Sequence, residues 1–223
     1  MKTLPSAMRL DERKEQLLAL YEEFERQVAP FRAQAVCVKG CADCCIQVGT
    51  VAATTLEGMV IRQYLEGRSK AARDAVRPRL RMNRRTKLTQ VFARCAFLDE
   101  EQSCTVYPVR PFSCRRLYSV KTCGEQGPVI HRRAMALASR TIELLQNLDA
   151  AGCSGHLSFL LHLLEKQEFR RAYVQGVWNA GDFQGLVERY QLMVHTNRSG
   201  RGKSGLPVGA ASSAQTPSPC DKW

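Results

Sequence analysis

The sequence predicts a mainly α protein, a small helical domain with an irregular, loop-rich cysteine cluster that metal staples together. Three observations carry this expectation. Apolar residues recur at helical spacing near both ends of the chain. Eight of the ten cysteines fall between Cys37 and Cys123. Much of the sequence among those cysteines carries turn residues and no sustained period. A length of 223 residues suits one domain with appendages, and 44% hydrophobic with 24% charged residues excludes wholesale disorder. The expected organisation is an N-terminal helix in 1–30, a cysteine-cluster domain in 31–128, a helical region packing on it in 129–195, and a disordered tail in 196–223.

Leu17, Tyr21, Phe24 and Val28 place a stripe on a helix over 10–28, which Pro30 closes. The cysteine run 37–45 contains Gly40 and no helical period, so it is expected on a loop. Thr54-Thr55-Leu56-Glu57 has the form of a capping box, opening a helix to about Glu66. An Arg-rich helical stretch follows from Lys70, interrupted by Pro78. Short apolar pieces between turn signals fill 95–123. Met135, Ala138, Ile142 and Leu145 mark a further helix that ends at Ala151-Gly152. Two more are expected over 157–176 and 182–195, the last capped by Asp182. From Thr196 the composition collapses to Gly, Ser, Ala, Pro and Thr with Arg and Lys; Cys220 in that tail is outside any site.

Thiolates are the softest side-chain ligands and select zinc, copper(I) or iron–sulfur clusters. Eight is twice the four sulfurs of a tetrahedral zinc site or a simple cluster. Cys41-Ala42-Asp43-Cys44 can present two sulfurs to one metal from a tight turn, and Gly40 supplies backbone freedom before it. Adjacent Cys44 and Cys45 are expected to diverge, so that one serves each of two sites or one of them is a supporting or redox thiol. The expected metal ligands are Cys37, Cys41, Cys44, Cys45, Cys95, Cys104, Cys114 and Cys123. The four histidines, His131, His156, His162 and His195, stand at no ligand spacing to a cysteine and are left out, and Cys153, next to Gly152, is expected to be a small buried residue or a helix-end cysteine.

The pattern Cys41-x-x-Cys44-Cys45, then Cys95, then Cys104-Thr105-Val106-Tyr107-Pro108-Val109-Arg110-Pro111-Phe112-Ser113-Cys114-Arg115 resembles the YkgJ-type CxxCxxCC cysteine-cluster family. That resemblance implies a zinc- or iron-chelating domain, with Cys37 and Cys123 as flanking members. It implies chelation and no settled reaction. One branch resembles flagellin lysine-N-methylase, which keeps an iron–sulfur oxidoreductase or methyl-transfer enzyme as the alternative. In the companions of the motif, Arg110 is read either as a partner of a carboxylate or sulfur or as a structural turn clamp, and Tyr107 as a half-buried packing residue in preference to a catalytic acid.

Cys37-x-x-x-Cys41-x-x-Cys44 also matches the three-cysteine spacing of radical S-adenosylmethionine enzymes. No aromatic precedes Cys44, no strand–helix alternation follows, and five cysteines are left over. The net charge of +12 concentrates in 62–87, which raises a zinc-stapled nucleic-acid module as a further alternative. No aromatic residue interleaves 68–87, so a solvated helix face is favoured. Lys39, Arg94, Arg115 and Arg116 are expected to offset the charge of thiolate-bound metal. The first nine residues lack a continuous apolar run, predicting no secretory signal. The cytoplasm is the expected location, where a cysteine framework signals metal in preference to disulfides. No membrane partner is expected.

Overall fold

Leu17, Tyr21, Phe24 and Val28 form the buried stripe of helix α1, Leu10–Arg32, in a computed structural model that describes residues 9–38, 40–47, 50–123 and 127–195. The expected disordered tail 196–223 and residues 1–8 lie outside the described residues. Helix α1 runs past Pro30. The proline is exposed and near the helix end, so the one hydrogen bond it forfeits lies on the solvated side. Phe31 stacks on His131 at 4.5 Å and holds that last turn.

Among the described residues, the chain makes nine α-helices and one three-stranded antiparallel sheet, a mainly α fold. After α1 come α2 (Asp43–Gln47), β1 (Ala52–Thr54), α3 (Thr55–Glu66), α4 (Lys70–Thr89), α5 (Phe112–Arg115) and α6 (Arg132–Leu148). Then follow β2 (Cys153–His156), α7 (Leu157–Glu165), α8 (Gln167–Val174), α9 (Gln184–Arg189) and β3 (Met193–Val194). Several boundaries differ from expectation. Cys44 and Cys45 sit on α2 and not on a loop. Helix α4 continues through Pro78, which is exposed, so the carbonyl it orphans faces water. The helix expected over 157–176 breaks at Lys166, whose extended backbone separates α7 from α8. That expected over 182–195 is a short turn of 3-10 helix, then α9, then strand. Asn179 caps the turn by accepting from the Gly181 N–H, and Gln191 at φ 49° redirects the chain into β3.

Pairing Ala52 with His156 and Thr54 with Ser154 joins β1 to β2, while β3 pairs with Cys153 and Ser154. Strands of three, four and two residues are too short to show an alternating pattern in sequence. On one side of α3, Ile61 packs with Phe97, Leu160, Leu163, Leu164 and Phe169. On the other, Leu56 joins the α1 stripe, Phe112, and Ala134, Ala138 and Leu145 of α6.

Two buried carboxylates lie where these cores meet. Glu57 completes the capping box: its N–H donates to Thr54 Oγ1 at 3.2 Å, and its Oε2 accepts from the Thr54 N–H at 2.6 Å. Its Oε1 also accepts from the Tyr21 hydroxyl at 2.6 Å and the Phe112 N–H at 2.7 Å. Asp149, fully buried, accepts from the Leu56 N–H at 3.0 Å and from the Tyr173 hydroxyl, with Arg13 Nη1 at 3.9 Å. Gly152 is required beside it, because a Cβ there would lie 2.5 Å from Asp149 Oδ2.

Removing Glu57 strands three buried donors, each costing about 1–3 kcal/mol. Urea unfolding of Glu57→Ala should therefore show a loss of about 3 kcal/mol or more, with Glu57→Gln losing less because it keeps an acceptor. A second expectation concerns pH. Burial, with Glu57 adding, pushes the Asp149 carboxyl from 3.8 to about 7, against the pull of Tyr173, the Leu56 N–H and Arg13. A carboxyl raised on folding contributes stability that is full below its ordinary value and is lost as pH rises through its folded one. Relative to Asp149→Asn, the wild type should lose up to about 1.4 kcal/mol per pH unit between those two values. Parallel unfolding curves at all pH values would contradict this.

Candidate metal centre

Gly40, at φ +90°, turns the chain into the cysteine run, a conformation open to glycine at little cost. The Cys41 N–H then bonds Val38 O, and the Cys45 and Ile46 N–H groups bond Ala42 O, winding α2. Buried Ala42 anchors that turn. The Cys95 N–H reaches Cys45 O at 2.9 Å and brings the second cysteine segment alongside the first. A bridge between Leu98 and Cys104 folds this segment back on itself. Helix α4 secures it from behind: Asn83 donates to Arg94 O at 2.6 Å and Arg79 to Leu98 O at 2.9 Å. Two of the α4 polar side chains thus support the cysteine loop. Cys114 arrives on α5, whose first residue is held by Glu57 through the Phe112 N–H.

These constraints gather Cys44, Cys45, Cys95, Cys104 and Cys114. Adjacent Cys44 and Cys45 on α2 are near enough for a bond between their thiols to act on both. That bond, with burial, pushes Cys44 well up. Cys45 is drawn down by Cys44, but its own bond to Cys95, burial, and the nearness of Cys95 and Cys104 push it up to about 12. Burial, then Cys45, Cys44 and Cys104, pushes Cys114 up, while Arg110 opposes. Cys104 is raised by burial too, against the Val106 N–H and Arg110.

The remaining three cysteines, Cys37, Cys41 and Cys123, form a second neighbourhood. The Ser119 N–H donates to Cys37 Sγ at 3.2 Å, and the Val36 N–H bonds Ser119 O at 2.8 Å. Burial raises Cys123; a Ser119 hydrogen bond lowers it, and Asp43, Cys37 and Cys41 raise it further. At Cys41 a bond from the Asp43 N–H pulls the thiol down, but burial, the Asp43 carboxylate, Cys37 and Cys44 outweigh it. Cys44 thus feels both neighbourhoods. Among the described residues, no three Cys, His, Asp or Glu side chains already stand in coordinating geometry. Metal binding there requires the thiols to lose their protons and draw together.

Arg110 clamps its own turn, its Nη1 donating to Tyr107 O at 3.2 Å. Arg115, expected to offset charge at the metal, is a clamp as well, donating to Glu25 at 2.7 Å, Arg110 O at 3.0 Å and Pro108 O at 3.0 Å, with its guanidinium over the Tyr21 ring. Arg110, stacked 3.9 Å over Tyr107, is the cation that acts on Cys104 and Cys114. Tyr107 is exposed, not half-buried, its ring covered on one face by Arg110. Arg94 donates to Asp99 O, and Lys39 lies outside the described residues. Ser119 and Asp43 escaped the sequence reading. Asp43 stands inside the motif and could have been weighed; a lone serine gives no such signal.

The histidines are engaged elsewhere. His131 and His156 accept from N–H groups at the starts of α6 and α7, His162 contacts Tyr190, and His195 bonds Ser154 at 2.6 Å. Cys153 is fully buried on β2, its thiol pushed up to about 12 chiefly by burial. No helix among the described residues is long and apolar enough to cross a membrane.

Compared with known proteins, residues 36–133 match the family CxxCxxCC, described as "Putative zinc- or iron-chelating domain". No curated protein and no solved structure matches the chain.

The thiols differ in accessibility, and alkylation should read it. Cys37 and Cys41 are exposed, whereas Cys44, Cys45, Cys104 and Cys114 are half-buried with raised thiols. In metal-free, reduced protein, peptide mass spectrometry should find iodoacetamide on Cys37 and Cys41 first, at least about tenfold ahead of Cys114, since the thiolate is the nucleophile. Equal rates at all eight positions would contradict the described packing.

Proposed function

We propose that this chain, whose residues 36–133 match the CxxCxxCC family, binds zinc or iron through all eight cysteines of the segment, in two four-sulfur centres. The inner centre takes Cys45, Cys95, Cys104 and Cys114. The outer takes Cys37, Cys41, Cys44 and Cys123. The observation that supports this reading most is that Cys95, Cys104 and Cys114 pack against one core, with Cys45 tied to Cys95 through the backbone, while Cys37 and Cys41 are exposed and Cys37 is held by Ser119.

The donor chemistry fits the metals. Sulfur sets without oxygen or nitrogen suit zinc and iron and disfavour magnesium or calcium. Each centre of four thiolates around a divalent ion carries a net charge of about −2. Arg110 beside Cys104 and Cys114 offsets part of it at the inner centre, while the Cys41 and Cys37 sulfurs accept the Asp43 and Ser119 N–H groups at the outer. Bound metal would supply cross-links to the segments on either side of α3 and α4 that bear the cysteines, whose regular structure consists, among the described residues, of helices of five and four residues and a three-residue turn. A second reading, an iron–sulfur cluster, draws on the crowding of five thiols, Cys44 included, around the inner position.

Metal and sulfide analysis of protein purified without oxygen tests the proposal. About two zinc or iron ions per chain without acid-labile sulfide is the expected result. Brown protein with acid-labile sulfide would transfer support to the second reading. Protein that takes up neither metal after reduction and reconstitution would overturn both.

A further inference from the structure

Resting on the two-centre reading, we infer that the outer centre is the exchange site of this protein: metal enters and leaves through Cys37, Cys41, Cys44 and Cys123, passed to or from a second thiol-bearing molecule, while the inner centre keeps its ion. The contrast in surroundings carries this. Cys95, Cys104 and Cys114 pack against the core that holds Phe97, Val106 and Leu160. Their segment is pinned by Asn83, Arg79, the Cys45–Cys95 backbone bond and, through Phe112, by Glu57. For one of these sulfurs to leave a metal, packed structure has to move with it.

The outer set has no such backing. Cys37 and Cys41 are exposed, and none of the four packs against either core cluster. Cys37 is held by the Ser119 N–H, and the Cys41 N–H bonds only the nearby Val38 O. Around the two thiols the chain presents Val36 at 49% and Val38 at 74% exposure, with Ile46 at 43% on the far side of the turn. Exposed apolar side chains beside exposed ligands form a rim on which an incoming protein can rest while its own thiolates approach.

Exchange then proceeds one ligand at a time. An incoming thiolate forms a bond to the metal, one bond from a cysteine of the outer set breaks, and the released thiolate takes a proton from water. The oxidation state of the metal does not change, so no reductant or oxidant is needed. Cys37 and Cys41, mounted on the exposed segment, are the first to leave. Cys44, on the helical turn shared with Cys45, is the last.

The test follows zinc loss from fully loaded protein in excess EDTA by native mass spectrometry. One ion should leave at least about tenfold faster than the other. Loaded Cys123→Ser should lack the fast ion and keep the slow one; Cys41→Ser, altered at an exposed position, should behave alike and guards against misfolding of the first variant. Both ions leaving together in a single phase would overturn the inference while leaving the two-centre reading intact. So would loss of the slow ion in both outer-site variants. A chain that binds no zinc or iron at all would overturn the two-centre reading and this inference together.

Discussion

The carboxylate of Glu57 is the constraint on which the arrangement of the cysteines depends. Buried charge is costly unless its lone pairs are satisfied, and here the backbone of Thr54, the backbone of Phe112 and the hydroxyl of Tyr21 do so. One group therefore fixes where α3 begins, how α1 lies against it, and where the Cys114-bearing helix α5 starts. Asp149 acts beside it at the neighbouring Leu56 N–H, tying α3 to the end of α6 and, through Tyr173, to α8. Beyond the bonds from Asn83 and Arg79 and the Cys45–Cys95 backbone bond, 90–123 has little regular structure of its own, a three-residue turn and the four-residue α5, so the carboxylate that fixes the start of α5 sets the position of Cys114.

Much of this was legible in the sequence because the interactions involved are local. The Thr54–Glu57 capping box and the α1 stripe lie within a few turns of one helix, and both appear as expected. The cysteine spacing was equally visible, since ligand sets are written as residue types. What stayed hidden was set by distant contacts. The sheet joins Ala52 to His156 and Ser154 to Met193, in strands too short to carry a pattern of their own. Pro30 and Pro78 suggested helix ends, but both face water, where an unpaired carbonyl costs little. The roles of Arg110 and Arg115 could not be told apart from a motif holding both. Only the fold places Glu25 and Tyr21 beside Arg115, while Arg110 serves both its own turn and the thiols.

The two cysteine neighbourhoods follow from the same architecture. Core packing reaches Cys95, Cys104 and Cys114 and stops short of Cys37 and Cys41, so one set of thiols is backed by hydrophobic side chains and the other by a few backbone hydrogen bonds. A protein with two equal sites would have little reason to differ so in burial. In the account proposed above the difference has a use: the inner centre completes the fold, and the outer one handles metal. The short helix α2, bearing Cys44 and Cys45 on successive residues, is where the two meet.

The most direct test of this account is anomalous diffraction from crystals of the metal-loaded protein, recorded above and below the absorption edge of the bound metal. The account predicts two separate peaks per chain, one surrounded by the sulfurs of Cys45, Cys95, Cys104 and Cys114 and the other by those of Cys37, Cys41, Cys44 and Cys123. A single peak drawing ligands from both sets, or metal bound away from these cysteines, would contradict it.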